Sequence, residues 1–253
     1  MLNRRAVTGA AVSALTLAAA GVSKAAASVV ARNVVLVHGA YADGSCWAEV
    51  IARLQAAGLN ATGVQNPLNS LAEDCDYTRR ILDLQDGPTV LVAHSYGGEV
   101  ITQAGVHPKV SALVYIAARA PDADEDYTAL AKTFPTPPAS AGVVHSGGYA
   151  QLSEPAFLND FANGVDPAKA RVLYAVQGRI SDTLFTAKVT QAAWRSKPSF
   201  YAVSTQDRTI NPDLERFMAK RMSATTIEIA AGHLSLISHP DEVAGLIKRA
   251  AVV

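Results

Sequence analysis

Three stretches of this chain, Asn33-Val34-Val35-Leu36-Val37, Thr89-Val90-Leu91-Val92 and Val110–Ala117, are apolar in near-continuous runs rather than in alternation with polar residues. A strand of this kind is covered on both faces, which happens where helices flank a parallel sheet. Amphipathic segments separate the runs. Trp47, Val50, Ile51 and Leu54 recur at helical spacing, and Gly58 ends that helix. A short strand is expected at 61–64 and a helix over 71–84, stopped by Asp86-Gly87-Pro88. Further on, 199–204 and 225–229 read as strands, and Pro212 and Pro240 open helices at their first turns. Repeated strand–helix units imply an α/β architecture: a mostly parallel sheet with helices on both faces. Ligands bind such sheets outside the carboxyl ends of the strands.

The alternation breaks between 121 and 197, a stretch with Pro121, Pro135, Pro137, Pro138, Pro155 and Pro167 among helix-like pieces. It follows a strand end, so it is placed to cover the site as an inserted helical cap. Residues 28–253 are read as one domain.

The first residues carry a different signal. Arg4-Arg5 precede an apolar, alanine-rich segment from Gly9 to Val22, and Ala25-Ala26-Ala27 follow. This pattern predicts a secretory signal over 1–27 of the twin-arginine type, hence an exported, periplasmic or secreted protein. The apolar part is about 14 residues, short of the roughly 20 that span a bilayer. Taking Arg4, Arg5 and Lys24 from the 22 basic residues leaves 19 against 22 acidic ones, a net charge of −3. That balance, with no basic run, excludes a nucleic-acid partner. Cys46 and Cys75 are the only cysteines. Each falls in an expected helix, and both are read as free, partly buried thiols.

The chemistry concentrates at Ala93-His94-Ser95-Tyr96-Gly97-Gly98. A serine hydroxyl attacks only when it is positioned and relieved of its proton. A sharp turn from strand to helix does the positioning, and it points helix N–H groups at the reacting centre. Small residues around the apex permit the turn. A plain strand-to-helix turn would read similarly.

A serine at one strand end needs a histidine at another and an acid to orient it. Of six histidines, only His233, in Ala230-Ala231-Gly232-His233, leaves the sheet after the last strand. Asp207 follows the strand at 199–204; capping a turn or pairing with Arg208 is its alternative role. The set in chain order is Ser95, Asp207, His233. An oxyanion hole would use the N–H of Tyr96 and that of Ala40, with Gly39 admitting close approach and His38 pinning the loop.

With these residues in place, the chain resembles the α/β-hydrolase superfamily over nearly all of 33–251. Val35-Leu36-Val37-His38-Gly39-Ala40, with Trp47 downstream, is similar to plant methylesterases and hydroxynitrile lyases and their bacterial relatives. The resemblance implies Ser95 as nucleophile, His233 as general base, Asp207 as its orienting acid, and no metal or organic cofactor. Two departures stand out: Ala93 replaces the usual first elbow glycine, and Leu234 stands where cyanohydrin-cleaving members place a lysine. The second favours hydrolysis over lyase chemistry. The expected activity is cleavage of a small or medium uncharged ester, a small-molecule substrate. Phe134, Tyr149, Phe157, Phe161, Phe185 and Trp194 are candidate pocket residues. C–C or C–N bond cleavage by the same triad, and a ligand-binding role without turnover, are the alternatives.

Overall fold

The computed structural model describes Met1 and residues 30–252. The expected export signal therefore lies, Met1 apart, outside the described residues. Six strands form one sheet: β1 (Asn33–Val37), β2 (Asn60–Val64), β3 (Thr89–His94), β4 (Val110–Ile116), β8 (Ser199–Ser204) and β9 (Thr225–Ile229). Their order is β2-β1-β3-β4-β8-β9, and every pairing is parallel. The chain steps outward from β1 to β2, then crosses back to place β3 on the other side of β1. That reversal opens a crevice at the carboxyl ends of β1 and β3.

The continuous apolar runs are central strands, as their composition requires. Every residue of β1 and β3 is buried, whereas the edge strands β2 and β9 are mostly partly or fully exposed. Helix α1 (Ala48–Ala56) packs on α9 (Pro240–Ala250), and α2 (Leu71–Asp83) packs on α3 (Gly97–Ala104). The short α8 (Ser235–Ser238) joins the first pair, and α7 (Pro212–Arg221) lies along β8. Caps fix the helix starts: Ser70 accepts from the Glu73 N–H, and Asn211 from the Asp213 N–H ahead of Pro212.

Between β4 and β8 the inserted stretch holds α4 (Tyr127–Ala131), α5 (Glu154–Ala156) running into a widened turn over Phe157–Phe161, and α6 (Pro167–Ala175). It is not purely helical, contrary to expectation. β5 (Val143–Ser146), β6 (Tyr149–Leu152) and β7 (Ile180–Ser181) form a separate antiparallel sheet. The cause is Gly147-Gly148, with φ of 60° and 83°. Two consecutive residues at positive φ make the two-residue hairpin turn whose twist suits paired strands.

Cys46 and Cys75 are free and buried, as anticipated, and Cys46 lies in a 3₁₀ turn rather than in an α-helix. No helix among the described residues is long and apolar enough to cross a membrane.

Candidate active site

The turn after β3 has the form anticipated from its small residues. Ser95 sits in the left-handed region at φ 53°, a conformation that costs a non-glycine residue about 1–2 kcal/mol. Neighbouring chain holds it there. Its carbonyl accepts from the N–H groups of Gly98 and Arg119, each at 3.0 Å, and its own N–H donates to Ile116 O at 3.3 Å. The glycines that follow are close-approach sites. A Cβ at Gly97 would lie 2.7 Å from His38 O, and one at Gly98 would overlap Arg119 O. Helix α3 is thus seated against the chain leaving β4.

The loop after β1 meets the same turn. A Cβ on Gly39 would come within 2.6 Å of Ser95 Cβ, so only glycine lets this loop pass the serine. His38 pins it as expected: Nδ1–H donates to Gly39 O at 2.8 Å, and Nε2 accepts from the Asn66 N–H at 3.0 Å. Ala40 and Tyr96 therefore flank Ser95 from two directions.

His233 and Asp207 come together. The His233 Nδ1 and Asp207 Oδ2 atoms are 2.5 Å apart, and both side chains are completely buried. Backbone bonds from Thr205 N to Ile229 O and from Gln206 N to Ala231 O zip the loop after β8 to the loop after β9, which sets the pair. Asp207 also caps a turn, its Oδ1 accepting from Thr209 N at 2.6 Å and Ile210 N at 2.9 Å. The pairing weighed for it with Arg208 does not form, since Arg208 bridges to Asp160. His233 Nε2, on the opposite side of the ring, has no protein partner. That ring lies 4.6 Å from the ring of His94, the residue before Ser95, and His94 Nε2 bonds to His233 O at 3.0 Å. His94 thus joins the serine turn to the histidine loop.

The remaining histidines are spoken for elsewhere. His107 bonds to Asp83, His145 to Asp182, and His239 to Ser238.

Two buried carboxyls support the site without a signal that sequence reasoning caught. Asp74 accepts the Tyr96 hydroxyl at 2.8 Å and the Leu68 N–H at 3.0 Å, bracing the residue after Ser95. Burial pushes its carboxyl up to about 6 despite these donors. In the sequence it is one of two acids in the first turn of α2, where a helix dipole accounts for both. Glu215 of α7 is fully buried, accepts from Ser204 N at 3.1 Å, and lies against Asp207. Burial and the charge of Asp207 push its carboxyl well above the usual range.

Ser95 opens on a cavity of about 320 Å³ whose other walls come largely from the inserted stretch. Of the aromatic candidates, Phe161 and Phe185 line it. The other four do not. Phe157 packs behind Phe161 at 4.9 Å, and Phe134 packs on Phe217. Trp194 turns its N–H to Pro121 O, and Tyr149 faces outward on the hairpin. Proline-rich spacing did not indicate which side of each short element faces the sheet. Arg119, also unanticipated, lines the cavity and pairs with Glu99 at 3.0 Å.

The chain belongs to the alpha/beta hydrolase family, whose pattern it matches over residues 34–246. Among curated proteins it is 26% identical to norfluorocurarine synthase 2 of Strychnos sp over 248 residues, covering 84% of this chain and 92% of that one. It is 35% identical to methylesterase 7 of Arabidopsis thaliana over 107 residues, covering 36% of this chain and 41% of the other. The crystal structure of polyneuridine aldehyde esterase superposes with a TM-score of 0.74 at 18% identity, over 86% of this chain and 98% of that one. These place the chain as a relative of the methylesterase group.

Proposed function

We propose that this protein is a serine hydrolase that cleaves a small or medium carboxylic ester without net charge through an acyl-enzyme intermediate. The observation that carries the reading is the buried His233–Asp207 pair, with Nε2 left open, tied through His94 to a strained serine turn. Relatives named as a methylesterase and an aldehyde esterase support ester chemistry.

In this reading His233 Nε2 removes the Ser95 proton as Oγ attacks the ester carbonyl. Asp207 keeps the Nδ1 proton in place and stabilises the imidazolium that forms. The Thr209 and Ile210 N–H groups in turn hold Asp207. The N–H groups of Ala40 and Tyr96 receive the oxyanion, a contribution worth about 3–4 kcal/mol per donor in comparable sites. His233 then returns the proton to the departing alcohol. Water repeats the cycle on the acyl-enzyme. Leu234 is buried beside the base and offers no charge for a cyanide leaving group, so hydrolysis is preferred to lyase chemistry. Export by the N-terminal signal is part of the same proposal.

The test is covalent labelling. Stoichiometric modification of Ser95 by an organophosphate, with loss of aryl-ester turnover in Ser95→Ala, is the expected result. Full turnover by Ser95→Ala would overturn the scheme.

A further inference from the structure

The cavity in front of Ser95 is mostly apolar, but two donors converge on it without a reason in the hydrolytic cycle. Arg119 follows β4, its N–H bonds Ser95 O, and its side chain lines the cavity. A guanidinium has five N–H donors. One meets Glu99 Oε1 at 3.0 Å, and no other side-chain bond forms among the described residues. Its central carbon lies 4.0 Å from the Phe185 ring centre and 4.8 Å from that of Tyr127. Burial works against its charge, and Glu99 more than offsets that, so the group stays protonated.

The second donor is Tyr41, which lines the same cavity and is 6% exposed. Burial pushes its phenol up to about 12, and the nearby Arg119 charge opposes that shift. Its hydroxyl remains a neutral donor with no side-chain partner among the described residues. The backbone at Tyr41 is in the left-handed region, φ 60°. For a bulky residue that is an outlier, of the kind that persists where the surroundings force a side chain into a working position.

A buried ion pair is weakly stabilising by itself, and unspent donors beside it are costly without an acceptor. A hydrocarbon substrate would strip water from these donors and leave them unpaired. We infer that Tyr41 and Arg119 form a clamp for a neutral acceptor oxygen, so that the preferred ester carries a second carbonyl remote from the scissile one. A carboxylate fits less well at the clamp, because Glu99 already supplies the counter-charge of Arg119. The clamp deepens the ester-hydrolase reading and rests on it.

Four near-isosteric probes decide the matter: phenyl hexanoate, phenyl 4-oxohexanoate, phenyl 5-oxohexanoate and the phenyl half-ester of glutaric acid. The kcat/KM of the wild-type protein and the Kd of Ser95→Ala are compared across them. The Kd series does not depend on turnover. A collapse of the acyl-enzyme scheme would therefore abolish hydrolysis yet leave the binding preference intact. The better oxohexanoate is expected to show a kcat/KM about 10- to 100-fold above that of the hexanoate and a Kd about 10- to 100-fold below it. In the Ser95→Ala background, Arg119→Met should bring the ratio to within about twofold, and Tyr41→Phe should cut it about fivefold. Tyr41→Phe breaks no ion pair, so it serves if Arg119→Met does not fold. A ratio near one, a ratio that survives both substitutions, or tighter binding of the glutarate half-ester would overturn the inference.

Discussion

Two histidine–aspartate pairs of nearly equal length occur in this molecule, and they sit in opposite surroundings. His233 and Asp207 meet at 2.5 Å at the end of the parallel sheet, with both side chains at 0% exposure. His145 and Asp182 meet at 2.6 Å beside the small cap sheet, at 63% and 35% exposure. Residue type and distance are shared, so neither separates a working pair from an incidental one. The difference lies in what surrounds the pair. At the sheet end, two backbone donors fix the acid, while a ring nitrogen is left open beside a serine turn. Around the exposed pair, water screens the charges. An exposed pair of that kind contributes about 0–1 kcal/mol.

The sharpest way to break this contrast is to remove each imidazole. His233→Ala is expected to lower aryl-ester kcat/KM by at least about 10⁴-fold, measured by initial rates on protein whose circular dichroism is unchanged. Asp207→Asn comes next, at about 10⁴-fold in kcat, since the amide can hold the wrong tautomer of His233. A pre-steady-state burst that survived either change at wild-type rate would dissolve the distinction.

Asp74 tests the support rather than the relay. Its folded carboxyl titrates near 6, above its ordinary 3.8, so the native state holds a proton that the unfolded chain has released. Stability from this group is therefore present below about pH 4 and is lost as pH rises toward 6. Asp74→Asn should flatten that part of the Tm–pH curve and raise Tm at pH 7 relative to wild type. An unchanged slope between pH 4 and 6 would show that Asp74 is not the titrating group. The smallest effect belongs to the hairpin: His145→Ala should change kcat/KM by less than about twofold and stability by less than about 0.5 kcal/mol, read from turnover and urea unfolding. A tenfold loss there would erase the comparison from its other side.

Much of the sheet was legible because its signals are local. Unbroken apolar runs mark doubly covered strands, and the strands at 33–37, 199–204 and 225–229 begin and end where the pattern places them. Ser95, Asp207 and His233 stood out because each follows a different strand, and parallel strands bring their carboxyl ends to one edge. What escaped was set by contact between distant segments. Glu99 and Glu215 look like solvent-facing helix residues until their neighbours bury them. Arg119 reads as a loop cation, and only the fold folds it inward against Phe185. The hairpin at 143–152 was signalled locally by Gly147-Gly148, but the surrounding prolines and helix-like pieces masked the alternation. Trp194 and Phe134 suggest pocket walls by their aromatic bulk, and bulk does not encode direction.

The inserted stretch is the crossover that carries the chain from β4 to the neighbouring parallel strand β8, paired from Leu113–Ser199 onward. A crossover has only to begin and end in register, and lengthening it raises the closure entropy slowly. Selection could therefore rewrite this segment, in length and in side chains, while the hydroxyl, imidazole and carboxylate stayed on their strand ends. Within such a lineage, change of diet would be expected to outpace change of chemistry.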